Sequence, residues 1–81
     1  MKLTGNLQSA PLGVLLETLP TEEVWVTRTL LDNFALYFQL IGWVTESDED
    51  IYTLLKFLAE EKIIWIEVDY KQRVRRLKRI Y

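Results

Sequence analysis

The chain predicts a single α+β domain in which three helices are followed by a C-terminal β-hairpin. Three observations predict it. Apolar residues recur at helical spacing in three stretches before residue 62. Beyond it the period drops to two, with Ile64, Ile66 and Val68 alternating against Trp65, Glu67 and Asp69. The 81 residues are 49% hydrophobic, with three Trp, four Tyr and three Phe, enough for one core near the lower size limit of a self-sufficient domain.

Residues 1–10 contain Gly5, Asn6 and Ser9 and read as an arm or a short edge strand. Pro11 suits the first turn of a helix, where its missing N–H is not needed. Leu12, Leu15, Leu16 and Leu19 follow at helical spacing, and Pro20 stops this short first helix. Residues 23–27, Glu-Val-Trp-Val-Thr, are β-branched and aromatic and favour a short strand, with Trp25 in the core. The alternative is the first turn of the next helix, with Thr21 as N-cap. A second helix is expected over residues 27–41. Its Leu30, Leu31, Phe34, Ala35, Tyr37, Phe38 and Ile41 cover most of the circumference, as in a helix that is largely buried or shared with a second copy. Gly42 is a natural stop.

Thr45 and Ser47 are candidate N-caps for the third helix, with Asp48, Glu49 and Asp50 in its first turn. Ser47 with Asp50 three residues on has the pattern of a capping box. Ile51, Leu54, Leu55 and Leu58 form its apolar stripe, and it should end near Glu61 and Lys62. Residues 63–70 then read as a strand, and a polar turn near residues 70–72 leads into residues 73–81. A three-residue loop would place Val68 opposite Val74, Glu67 opposite Arg75 and Asp69 opposite Arg73, pairing opposite charges across the hairpin. Val74, Leu77 and Ile80 also recur every three residues, so a basic amphipathic helix is the alternative for this tail. No internal repeat or low-complexity segment is visible.

Charge is distributed unevenly. Lys71, Arg73, Arg75, Arg76, Lys78 and Arg79 lie in the last eleven residues, which hold no acid. Residues 1–70 carry four cations against all twelve acids, a net charge of −8. A positive strip on an acidic body marks a surface that meets an anion, a nucleic-acid backbone or an acidic partner. The bland alternative is a hairpin whose arginines neutralise Glu67, Asp69 and nearby helix acids.

Enzymatic chemistry is not expected. With no His and no Cys, the usual zinc ligands, the thiol nucleophile and the commonest general base are missing. Ser9 and Ser47 have no His partner, no Gly-rich phosphate loop occurs, and the acids lack calcium-loop spacing. A cluster of Glu67, Asp69 and Lys71 would need a supporting acid and a cleft. No cofactor or metal is implied. The absence of cysteine fits a cytoplasmic protein, and no apolar segment follows Lys2 to suggest a secretory signal. The longest apolar stretch, residues 30–44, is broken by Asp32, Asn33 and Gln39 and is too short to span a bilayer.

The order of short helix, short strand, helix, turn, helix and hairpin resembles the winged helix-turn-helix fold over residues 11–81. The most specific stretch is residues 50–80, where the capped helix runs through Glu60, Glu61 and Lys62 into Ile63 and Ile64, and a hairpin with Arg73, Arg75 and Arg76 follows. Lys62 stands where such families often carry Gly. The resemblance implies that the third helix enters a major groove, that the second supports it, and that the hairpin is a wing touching phosphates or the minor groove.

The resulting expectation is a small DNA-associated regulator, with double-stranded DNA as its partner, contacting the backbone through Lys71, Arg73, Arg75, Arg76, Lys78 and Arg79. Tyr52, Thr53 and Lys56 on the third helix are further candidates for groove contact. The three carboxylates at that helix's N-terminus argue against base reading and fit capping instead. The alternative is a protein-interaction or assembly module for an acidic partner, with Trp43, Trp65 and Tyr70 as anchors. A homodimer through Leu30, Phe34, Tyr37 and Phe38 is compatible with both.

Overall fold

The computed structural model describes residues 13, 14, 16, 17 and 19–80. Among them lie two complete helices and a three-stranded antiparallel sheet, in the order β1 (Val24–Trp25), α1 (Arg28–Leu40), α2 (Asp48–Glu60), β2 (Ile64–Val68) and β3 (Val74–Arg79). The α+β class stands, but the expected three helices with a two-stranded wing are corrected to two helices and a three-stranded sheet among the described residues. The sheet order is β1-β3-β2, so the expected wing strand β3 is the central strand of a sheet. The arm at residues 1–10 lies outside the described residues, as do Pro11, Leu12, Leu15 and Thr18 of the expected first helix. In that segment Gly13, Val14, Leu16 and Glu17 have helical backbone, and Leu16 and Leu19 are buried.

Local chemistry sets each boundary. Thr27 caps α1, its Oγ1 accepting from the Leu30 amide at 3.1 Å, so this residue ends the strand region and begins the helix. Ser47 caps α2, its Oγ accepting from the Asp50 amide at 3.4 Å. The reciprocal half of the capping box is displaced by one residue: Asp50 Oδ2 accepts from the Glu46 amide at 2.9 Å.

Both helices end alike. After α1 the amides of Gly42 and Trp43 donate to the carbonyls of Gln39 and Phe38. After α2 those of Lys62 and Ile63 donate to Ala59 and Leu58. These paired bonds form Schellman motifs, which need a left-handed residue directly after the cap. Gly42 supplies it at φ 88°, whereas Lys62 is held at φ 65° with a side chain that disfavours it. Lys62→Gly is therefore expected to stabilise the domain by about 0.5–1 kcal/mol, after the entropy cost of glycine is set against the relief of strain. A urea midpoint that stays put or falls would contradict this.

β3 carries a bulge. Val68 faces Val74, as expected, but Glu67 faces Arg76 rather than Arg75, with a register shift between Glu67 and Val68. Arg75 is the extra residue, and its carbonyl accepts from the Val26 amide at 2.8 Å. The bulge puts Val74 and Leu77 on the same buried side although they are three residues apart. It thereby explains the period of three that a helix would also have produced. Ile80, the third member of that series, is exposed.

The core lies between the helices and the inner face of the sheet. Phe34 and Phe38 of α1, Leu54, Leu55 and Leu58 of α2, and Ile64 and Leu77 of the sheet are all essentially inaccessible. Phe34 and Phe38 are thus spent internally, which leaves Leu36 and Leu40 as the exposed apolar residues of α1. Trp43, expected as a surface anchor, is 1% exposed and packs its ring against Phe38 and Phe57. The Schellman turn at Gly42 aims it inward. No helix among the described residues is long and apolar enough to cross a membrane.

Candidate nucleic-acid interface

The six basic residues of the tail do not form one patch. Strand alternation and the bulge distribute them over three places.

The first place is an open groove of about 530 Å³ between the N-terminal half of α2 and the tip of the β2–β3 hairpin. It is lined by Asp48, Glu49, Tyr52, Thr53 and Lys56 on one side and by Lys71, Gln72 and Arg73 on the other. The hairpin tip is shaped by Asp69. Its Oδ1 accepts from the amides of Lys71 and Arg73 at 2.9 and 3.0 Å, and its Oδ2 accepts from Arg73 Nε at 2.8 Å. Gln72 closes the loop at φ 66°, the left-handed position of a three-residue hairpin loop. Asp69 and Arg73 meet as the expected pairing had it, and that contact engages only the Nε edge of the Arg73 guanidinium among the described residues.

Across the groove the acids of α2 are partly neutralised. Arg28, at the start of α1, donates through both terminal nitrogens to the two Asp48 oxygens at 2.8 Å each, and also to Asp32. Hydrogen bonding from Arg28 holds the Asp48 carboxyl below its usual range, and the same bonds hold the guanidinium protonated. Glu49 has no cation partner among the described residues. The Thr53 hydroxyl donates to the Glu49 carbonyl at 2.9 Å, so its proton is already in use.

The second place is the outer face of the sheet, opposite Val24, Ile66 and Leu77. Cross-strand partners share a face, so Trp25, Arg76 and Glu67 form one row and Lys78 and Trp65 the next. Arg76 is tied down. It bridges Glu67 of β2 and Glu23, the residue before β1, and its guanidinium carbon lies 5.2 Å from the Trp25 ring centroid. Lys78 Nζ lies 5.6 Å from the Trp65 centroid and meets no carboxylate among the described residues.

The third place is the inner edge. Arg79, opposite Ile64, turns back to the N-terminal segment, where Nη1 donates to the carbonyls of Leu16 and Glu17 at 3.4 and 3.1 Å. It serves there as a cation at the end of a helical segment and is not free for a phosphate. Arg75, in the bulge, is exposed and without an acidic partner among the described residues.

The structure therefore joins Tyr52, Thr53, Lys56, Lys71 and Arg73 at one groove, and separates Arg75, Arg76, Lys78 and Arg79 from it. Of the expected partner anchors, Tyr70 is 84% exposed at the hairpin tip, with Lys71 Nζ 5.6 Å from its ring centroid, Trp65 is half-buried on the outer face, and Trp43 is core. Trp25 was missed. It was expected in the core and is 63% exposed. The signal was there in Val24-Trp25-Val26: if both valines face in, alternation turns the tryptophan out.

The carboxyls give the site a pH dependence. Desolvation opposes ionisation of Asp69, but the amide and guanidinium of Arg73 and the amide of Lys71 outweigh it and hold its pKa low. Asp48 is held low by Arg28. Groups whose pKa is depressed by folding stabilise the fold above their unfolded pKa, about 3.9, and lose that contribution as pH falls through the folded value. Thermal stability is expected to drop below about pH 4, and Asp48→Asn with Asp69→Asn should flatten that drop while lowering Tm at neutral pH. An acid limb unchanged in the double variant would refute this assignment.

No group of three or more acidic side chains is placed to hold a metal ion among the described residues. No protein-family model matches the chain, and comparison with curated proteins and with solved structures returns no match.

Proposed function

We propose that this chain is a small DNA-associated regulatory protein that binds the phosphate backbone of double-stranded DNA in the groove between α2 and the β2–β3 hairpin. The observation that carries this reading is the convergence of Lys56 from α2 with Lys71 and Arg73 from the tip of the hairpin that follows it, on one open concavity. Arg28 supports it by neutralising Asp48 at the groove's edge. The contact is to phosphate rather than to bases. The Thr53 proton is engaged and Glu49 repels the backbone, so the α2 N-terminus has little with which to read a base pair. Binding is accordingly sequence-independent and led by the hairpin. The direct test is amide chemical-shift mapping with a short random-sequence duplex. Shifts should gather at Lys56, Lys71, Gln72 and Arg73, and perturbation centred on Arg79 or α1 would reject the groove.

A second reading, docking of an acidic protein partner, is favoured by Tyr70, which projects beside Lys71 at the hairpin tip. Under it, duplex DNA leaves the groove resonances unchanged.

A further inference from the structure

The outer face of the sheet carries two tryptophans that the core does not use. Trp25 stands on β1 and Trp65 on β2, with the central strand β3 between them. Two strand spacings across and two residues along the strands separate them, about 12 Å. Trp25 is 63% exposed although its size favours burial. Each ring already has a cation over it, Arg76 on Trp25 and Lys78 on Trp65.

We infer that this face is a stacking platform for single-stranded nucleic acid, distinct from the groove and on the opposite side of the hairpin. Unpaired bases offer planar π-faces that stack on indole rings, and such stacking tolerates any sequence. Duplex DNA hides those faces inside its own stack, so this surface selects the single strand. One cation of this face supports the same occupant. Arg76 bridges both Glu23 and Glu67, one guanidinium to two carboxylates, so the acids of this face are engaged by it. Lys78 remains without an acidic partner among the described residues and is available to the phosphates that link successive bases. Arg76 itself acts as a positioning residue: it ties Glu67 of β2 to Glu23 at the entry to β1 and backs the Trp25 ring, so that a base lands on a guanidinium–indole stack rather than on a mobile side chain.

The test is titration of the full chain with oligo-dT, read by tryptophan fluorescence quenching and by anisotropy of a labelled strand. Trp25→Ala, at an exposed position, should leave the circular dichroism spectrum unchanged and weaken oligo-dT binding roughly tenfold or more. Lys78→Gln should weaken it less and reduce its salt dependence. Lys56→Gln with Lys71→Gln, which removes the groove cations, should retain it. The inference is overturned if the wild-type chain does not bind oligo-dT, or if Trp25→Ala binds it as the wild type does. It is equally overturned if poly-glutamate displaces the strand at matching charge concentration, which would make the face a dock for acidic proteins. Loss of oligo-dT binding in the groove variant but not in Trp25→Ala would overturn this inference while leaving the groove reading intact.

Discussion

Replacing Trp43 with alanine is expected to cost about 3–5 kcal/mol, the range for truncating a large aromatic in a packed core. The ring is 1% exposed and touches Phe38 at the end of α1 and Phe57 in α2, so its loss opens a cavity at the junction of the two helices. At roughly 0.05–0.15 kcal/mol per residue, a domain of this length has about 4–12 kcal/mol in total. The substitution thus removes much or all of it. Trp25→Ala is the control: an exposed ring with one cation contact should cost no more than about 1 kcal/mol. Urea unfolding followed by far-UV circular dichroism distinguishes the two. Equal midpoints for the two variants would place Trp43 at the surface, as sequence reasoning first had it.

Much of the fold was legible because it is encoded locally. Ser47 with the three acids behind it announces α2, and the Leu and Ile spacing of that helix leaves one face to bury. The short strand at Val24 and Trp25 and the hairpin with Val68 opposite Val74 followed from alternation and turn chemistry. What was not legible depends on contacts between distant residues. That β3 sits at the centre of a sheet requires Val24 and Trp25 to pair with Leu77 and Arg76, some fifty residues on. The bulge at Arg75 is a register irregularity that leaves only an ambiguous period of three in the sequence. It moved the partner of Glu67 from Arg75 to Arg76 and turned the tail's cations in different directions. Trp43 and Trp25 exchanged their expected roles for related reasons. The left-handed turn at Gly42 sends one inward, and pairing with Arg76 commits the other to the outer face. The groove was half legible: Lys56, Tyr52 and Thr53 had been separated from Lys71 and Arg73 as helix and wing candidates, and only the packing of the hairpin against α2 joins them.

The second large effect concerns that groove. Lys56→Glu with Lys71→Glu removes two of its three cations and adds two repelling charges beside Glu49. Hydrogen bonds to charged groups are worth about 1.5–3 kcal/mol each, so losing two implies at least about 3 kcal/mol, a drop of roughly 100-fold in duplex affinity. Both side chains are at least partly exposed and neither has an acidic partner among the described residues, so the fold should survive the change. Reversal of Arg79 is a poor comparison, because that side chain ties β3 to Leu16 and Glu17 and its loss is expected to lower stability. Arg75→Glu is the better one: it reverses an exposed tail cation outside the groove and should weaken duplex binding only slightly.

The most direct test of the groove as a phosphate-binding site is the salt dependence of binding to a labelled random-sequence duplex, measured by fluorescence anisotropy. Three phosphate contacts predict a slope of log K against log salt of about −2.7, equivalent to roughly a 40-fold loss between 50 and 200 mM salt. In the Lys56→Glu, Lys71→Glu variant the slope should fall to about −1 or binding should vanish. Absence of wild-type binding at 50 mM salt, or a slope that the double reversal leaves unchanged, would contradict the account.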